Sequence, residues 1–95
     1  MRVASTAVSM VAWRCYELQG GPKPSFVAGH SLGEFSALYA ASAFDLDAAV
    51  KLVNKRSQLM EACPKGAMSA VIGMAAEKLE QITGDVSQAL GQPKV

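Results

Sequence analysis

The amino-acid sequence predicts an α/β fold class, and the prediction depends on how two kinds of segment alternate. One apolar run, 26–28, is too short for a helix, and a second, 67–74, has the length of a strand and contains the pair Val71–Ile72. Longer segments around them repeat their apolar residues at helical spacing. The resulting order of helix, strand, helix, helix, strand and helix is typical of α/β proteins.

The first helix is predicted over about residues 3–19. Its apolar residues recur at alternating four- and three-residue steps, which places them on one face of the helix: Ala4, Val8, Val11, Cys15 and Leu18. Glycines and prolines at 20–24 end the helix, because glycine tolerates a left-handed backbone and proline prevents the helix from resuming. The run 26–28 is then interpreted as a buried strand that leads to a sharp turn at Ser31.

Two further helices are predicted, from Leu32 to about Ala43 and from Asp45 to Ala62. Asp45 is the expected N-cap of the second, since its carboxylate can accept free N–H groups of the first turn. A loop at 64–66, the strand 67–74 and a final helix containing Leu79 and Ile82 complete the order. Because two strands are too few for a doubly wound sheet and a new apolar segment begins at 93–95, we expect the chain to be truncated.

Composition excludes several classes of function. Hydrophobic residues make up 51% of the chain, which is typical of a globular core and not of a disordered tail. The net charge of +1, with both signs interspersed, argues against nucleic-acid or anionic-membrane partners. Cys15 and Cys63 lack the paired spacing of a zinc or redox site and are predicted to be buried thiols in a reducing compartment. No segment approaches the roughly 20 apolar residues that cross a bilayer, so we expect a cytoplasmic protein.

The motif Gly29-His30-Ser31-Leu32-Gly33 matches G-x-S-x-G, the strand-to-helix turn that exposes a nucleophilic serine. It lies where a predicted strand meets a predicted helix, as this mechanism requires. Glycine is expected on both sides of Ser31 because a side chain there would collide with neighbouring elements. Leu32 begins the helix, so its backbone N–H is a free donor that can stabilise the oxyanion formed when Ser31 attacks a thioester carbonyl.

Residues 27–38, VAGHSLGEFSAL, resemble the active-site segment of malonyl-CoA:acyl-carrier-protein transacylases and of the related acyltransferase domains of fatty-acid and polyketide synthases. The likeness extends from the helix around Trp13 to the stretch 66–68. The longer pattern GHS-x-GE is much more specific than G-x-S-x-G. The resemblance implies an α/β-hydrolase-like core, here residues 1–64, and a small ferredoxin-like subdomain that begins within residues 65–95.

Arg56 interrupts an apolar stripe on the helix after Asp45, whose members are Ala49, Leu52, Val53, Arg56, Leu59, Met60 and Cys63. An unpaired buried guanidinium costs several kcal/mol, so Arg56 needs an anion or water. Periodicity alone leaves two structural roles as open as a substrate carboxylate: an ion pair, with Asp47 or Glu61 the nearest acids on this helix, or an arginine whose head group snorkels to solvent. The resemblance favours the substrate, because the family has an arginine at this distance beyond the serine that binds the malonyl carboxylate.

His30 is the single histidine of the sequence, but adjacent residues on such a turn diverge, so we interpret it as a residue that lines the substrate site. The resemblance implies that the base histidine comes from a later segment that this sequence does not contain. The methionines at 60, 68 and 74 are interpreted as core residues, and no metal site is predicted.

The resemblance therefore implies a two-step acyl transfer without a bound cofactor. Ser31 would take malonyl from malonyl-CoA, a coenzyme A thioester, and pass it to the phosphopantetheine thiol of acyl carrier protein. Two alternatives stay open. The chain could belong to a serine hydrolase of the esterase type, which transfers the acyl group to water, or it could be a truncated remnant that is inactive alone because it lacks the base.

Overall fold

The computed structural model describes residues 2–91, and all regular secondary structure in that range is helical. The helices are α1 (Arg2–Leu18), α2 (Gly33–Ala40), α3 (Leu46–Ala62) and α4 (Ala76–Ala89). The predicted α/β class is therefore wrong for this chain. A strand exists only where its backbone pairs with a neighbouring strand, and neither 26–28 nor 67–74 has such a partner among the described residues. Phe26, predicted to be buried, is 93% exposed.

The predicted helices are confirmed, with small differences at their ends. α3 ends at Ala62 as predicted, and the Asp45 carboxylate accepts a hydrogen bond from the Ala48 N–H at 2.8 Å. α2 stops at Ala40, three residues before the predicted end. α4 continues through Gly84, so that glycine does not end the helix. Within residues 2–91 no helix is both long and apolar enough to cross a membrane.

The apolar face predicted for α1 is exposed. Val8 and Leu18 are 69% and 77% exposed, and the buried residues are Thr6 and Met10. α1 carries a second stripe at helical spacing, Val3, Ala7, Met10 and Trp13, and this stripe is the less exposed one. Periodicity finds apolar stripes but cannot decide between two of them. Met10 joins Ala49 and Val53 of α3 in the small core, where α1, α2 and α3 contact one another.

α1 and α2 end in the same way although their sequences differ. Gly20 has φ +74°, and the N–H groups of Gly20 and Gly21 donate to the carbonyls of Glu17 and Tyr16 at 3.0 and 3.1 Å, which is a Schellman motif. After α2, the position that glycine usually takes is occupied by Ser42, with φ +61°. The hydrogen bonds follow the same pattern. The Ser42 N–H donates to the Tyr39 carbonyl and the Ala43 N–H donates to the Leu38 carbonyl, both at 2.9 Å.

The chain divides into two compact units, and the division falls between Pro64 and Lys65. The first unit contains α1, α2 and α3 around the core just described. The second contains α4, where Leu79 is half-buried and Ile82 is 42% exposed. The assignment of these segments to a hydrolase-like core and a ferredoxin-like subdomain stays a prediction.

Candidate functional site

The backbone at Ser31 has the conformation that a nucleophile elbow needs. Its φ is +52°, in the left-handed region that costs an L-residue roughly 1–2 kcal/mol. The turn is closed by a hydrogen bond from the Gly33 N–H to the His30 carbonyl at 2.9 Å, and α2 begins at Gly33. Ser31 is exposed. A strained, exposed serine at a helix start is suited to attack a substrate from solvent.

Only one of the two glycines of the motif is required by close packing. A Cβ added at Gly29 would lie 2.0 Å from the Gly33 carbonyl oxygen and 2.6 Å from the Glu34 nitrogen, so any side chain there would displace the start of α2. A Cβ added at Gly33 meets nothing within 4 Å. The expected collision on both sides is therefore confirmed at Gly29 and wrong at Gly33.

The Leu32 N–H is unengaged at the start of α2. Leu32 occupies the N-cap position with helical angles, φ −58° and ψ −31°, and no side chain caps this end of the helix. Among residues 2–91 no acceptor takes a hydrogen bond from the Leu32 nitrogen, whereas Gly33, Glu34 and Phe35 all donate to the turn. The donor predicted for an oxyanion is thus directly after Ser31 and available to a ligand.

Arg56 reaches the serine from α3. Its Nη2 donates a hydrogen bond to the Ser31 Oγ at 3.0 Å, across 25 positions of sequence. Arg56 is half-buried. The ion pairs among the described residues join Arg14 to Glu17 and Lys51 to Asp47, so Arg56 belongs to neither. The structural ion pair that periodicity left open is therefore not formed within residues 2–91, and the cation beside Ser31 has no anionic partner there.

Phe35 completes this arrangement, and it was not predicted from the sequence. The Arg56 guanidinium lies over the Phe35 ring at 5.9 Å from the ring centroid, within the roughly 6 Å range of cation–π interactions. Phe35 follows Ser31 by four residues, but Ser31 precedes α2 with a left-handed backbone, so the helical spacing rule does not apply to this pair. Spacing in the sequence therefore held no signal for this contact, because it does not say where a side chain from α3 will lie.

The remaining sequence-predicted candidates are not brought together with Ser31. His30 is exposed, and its recorded hydrogen bond is through its backbone carbonyl. Cys15 and Cys63 are free and exposed, so the prediction that they are buried is wrong. Within the described part of the chain, no group of three or more His, Cys, Asp or Glu side chains is arranged to hold a metal ion.

A cavity of about 490 Å³ lies between the end of α1, the segment 21–27 and the end of α2. Its lining includes Trp13 and Tyr16, whose rings stack at a centroid distance of 5.4 Å, and Glu17 and Lys23. Neither Ser31 nor Arg56 contributes to it. Catalysis needs a nucleophile with charged groups within reach, and the volume of a cavity does not supply them. We therefore place the candidate site at Ser31 and not in this cavity.

The chain matches the family model described as acyl transferase domain over residues 1–91. It is similar to the polyketide biosynthesis malonyl CoA-acyl carrier protein transacylase PksC of Bacillus subtilis, with 53% identity over 57 residues that cover 60% of this chain and 20% of that protein. It is also similar to the malonyl CoA-acyl carrier protein transacylase of the same organism, with 51% identity, covering 74% of this chain and 23% of the relative.

The malonyl CoA-acyl carrier protein transacylase of Escherichia coli is 46% identical over 74 residues, which cover 75% of this chain and 24% of the relative. The chain thus spans at most about a quarter of the length of these three curated relatives. No solved structure matches it.

Proposed function

We propose that this chain, which belongs to the acyl transferase domain family, provides the acyl-accepting serine of a malonyl-CoA:acyl-carrier-protein transacylase. The proposal assigns Ser31 as nucleophile, the Leu32 N–H as oxyanion donor and Arg56 as the group that binds the malonyl carboxylate. His30 is assigned to the lining of the substrate site. The activity is proposed for the natural protein that contains this segment.

The observation that carries the proposal is the hydrogen bond from Arg56 to Ser31, 3.0 Å long. Malonyl-CoA has two reactive features, a thioester carbonyl and a free carboxylate separated by one methylene. An enzyme for it therefore needs a nucleophile and a cation a few ångströms apart. A guanidinium without an anionic partner among the described residues supports this role, because its planar fork matches a carboxylate.

In the first half-reaction the Ser31 Oγ attacks the thioester carbonyl, and its proton passes to a base that the described residues do not place beside it. The new Oγ–C bond gives a tetrahedral oxyanion, which the Leu32 N–H and the positive end of the α2 dipole stabilise. Collapse of this intermediate breaks the C–S bond. Coenzyme A leaves as the thiol after taking a proton, and malonyl remains as an ester on Ser31.

In the second half-reaction the phosphopantetheine thiol of acyl carrier protein attacks the malonyl ester. The new S–C bond gives a second oxyanion, which the same donors stabilise, and its collapse breaks the Oγ–C bond. The proton lost by the thiol returns to the Ser31 Oγ through the base, and malonyl leaves as a thioester on acyl carrier protein. The acceptor is a carrier-protein thiol, so no bound cofactor is needed. We place the reaction in the cytoplasm because Cys15 and Cys63 are free and exposed, and exposed thiols stay reduced there.

The test is the intact mass of the natural full-length protein after brief exposure to malonyl-CoA. We expect one added malonyl group, mapped to the peptide that contains Ser31, and no addition in Ser31→Ala. Ser25→Ala removes another exposed hydroxyl shortly before the motif and should still be labelled. Labelling of Ser31→Ala to the same extent would remove the nucleophile from the proposal.

Arg56→Ala distinguishes malonyl transfer from general serine chemistry. A hydrogen-bonded charged group is worth about 1.5–3 kcal/mol, so malonylation of Ser31 should slow by about ten- to a hundred-fold, while acetylation from acetyl-CoA should fall far less. Lys55→Ala removes the adjacent exposed cation and serves as the control. Equal losses for malonyl and acetyl groups, with release of the acyl group to water, would favour the esterase alternative.

A further inference from the structure

The cation beside Ser31 is held by neutral groups. Its contacts are the Ser31 Oγ at 3.0 Å and the Phe35 ring at 5.9 Å from its centroid. Of the two nearest acids on the same helix, Asp47 pairs with Lys51 at 2.7 Å, and Glu61 forms no ion pair with Arg56 within the described residues. Within residues 2–91 the guanidinium is therefore oriented without being neutralised.

The ring and the serine contact the guanidinium from different elements. Phe35 lies in the first turn of α2 and is half-buried, which limits the movement of its ring. Arg56 extends from α3 across this turn to Ser31. The nucleophile lies in the turn before α2 and the aromatic surface lies in the first turn of α2, only four positions later in the sequence.

The kind of contact determines what the guanidinium can still bind. A guanidinium has five N–H donors, all in its plane, and no acceptor. An aromatic ring attracts the cation through the negative potential of its face and uses none of those donors as a hydrogen-bonded acceptor would. A carboxylate in the place of Phe35 would instead occupy the planar fork that a dicarboxylic acyl group needs.

We propose that Phe35 is a positioning residue for malonyl transfer, whose ring keeps the Arg56 guanidinium beside Ser31 and leaves the planar donors that Ser31 does not use free for the substrate carboxylate. This inference rests on the function proposed above. The effect of Phe35 should therefore differ between acyl groups. The residue acts on substrates that carry a free carboxylate, through Arg56, and contributes much less to acyl groups that lack one.

The test is the rate of Ser31 acylation by malonyl-CoA and by acetyl-CoA in the natural full-length protein. Phe35→Leu keeps an apolar side chain but removes the ring, and we expect a rise in KM for malonyl-CoA of about three- to ten-fold with a much smaller change for acetyl-CoA. Phe35→Tyr restores a ring face and should recover most of the loss. Phe44→Leu makes the same change at another half-buried phenylalanine and controls for the loss of packing.

A double-mutant cycle shows whether Phe35 acts through Arg56. If it does, Phe35→Leu should have little further effect on malonylation in the Arg56→Ala background. Additive losses, equal losses for both acyl groups, or failure of Phe35→Tyr to recover activity would each overturn the inference. The function itself fails on a different result, the absence of malonyl on Ser31 in the unchanged protein.

Discussion

The starts of α2 and α3 differ in how their free N–H groups are used. At α3 the Asp45 backbone is extended, with φ −84° and ψ 176°, and its carboxylate accepts from the Ala48 N–H at 2.8 Å. At α2 the N-cap position holds Leu32, and no side chain satisfies the first turn. One start uses its donors to stabilise the helix, and the other leaves a donor open beside an exposed serine. A helix start without a cap can therefore indicate a ligand site, provided that a reactive group adjoins it.

The largest expected effect comes from removing a single donor at each start. Replacing Leu32 by its α-hydroxy acid, through nonsense suppression, changes the amide to an ester and deletes the N–H. Loss of one oxyanion donor typically slows acyl transfer by roughly 10²- to 10³-fold, and we expect that loss in the malonylation rate of Ser31. Because the Leu32 N–H donates no hydrogen bond within the described residues, stability should change little.

The same replacement at Ala48 is the matched control. It deletes the donor that Asp45 accepts from, so it should lower the free energy of unfolding and leave malonylation nearly unchanged. If the two replacements had equal effects on malonylation, the Leu32 N–H would have no special part in the reaction.

A smaller effect is expected from the glycines around Ser31. Gly29→Ala places a Cβ 2.0 Å from the Gly33 carbonyl oxygen, and a backbone atom cannot move away by changing a rotamer. We expect a loss of about 3 kcal/mol in the free energy of unfolding, the upper end for overpacking, measured by urea denaturation. Gly33→Ala, whose added Cβ meets open space, should cost far less and is the matched control. A similar loss in both variants would contradict the close approach at Gly29.

Removing the cap of α3 should have a moderate effect. Asp45→Ala is expected to lower the free energy of unfolding by about 1 kcal/mol, the usual value for a lost N-cap. Asp47→Ala removes an exposed acid from the same first turn, which pairs with Lys51 on the surface, and should cost less than about 0.5 kcal/mol. Asp45→Ala should change the malonylation of Ser31 only by lowering the folded fraction of the protein. Acylation is therefore measured at low temperature, where the variant stays folded and its rate should match that of the unchanged protein.

The smallest effect concerns the other end of α2. Ser42 has φ +61°, almost the same conformation as Ser31, but it ends the helix where glycine is the usual residue. Ser42→Gly should raise the free energy of unfolding by up to about 1 kcal/mol, since relief of the left-handed strain is partly offset by the greater freedom of glycine when unfolded. Malonylation of Ser31 should be unchanged in the Ser42→Gly variant, whereas the Ser31→Gly variant should not be malonylated. Destabilisation by Ser42→Gly would show that its side chain contributes more than the strain costs.

Local signals predicted the helices and the turn at Ser31 well. Asp45 caps α3 and Gly20 ends α1 because the interactions involved join residues only a few positions apart. The prediction of two strands was wrong because a strand forms only with a partner strand, which a short window of sequence does not contain. The buried side of α1 could not be predicted because packing between helices selects the stripe that includes Met10, and the contact of Phe35 with Arg56 was missed because it joins two helices.

The distance in sequence between Ser31 and Arg56 has a consequence for recombination and library design. They are 25 positions apart, and the segment that joins them runs through α2, the turn at Ser42 and the first part of α3. In a helix each residue adds about 100° of rotation, so deleting one residue within 46–55 would turn the guanidinium away from the hydroxyl while every recognisable motif survived. Chimeric genes should therefore keep this interval constant in length, and sequence searches should score the spacing as strictly as the residues.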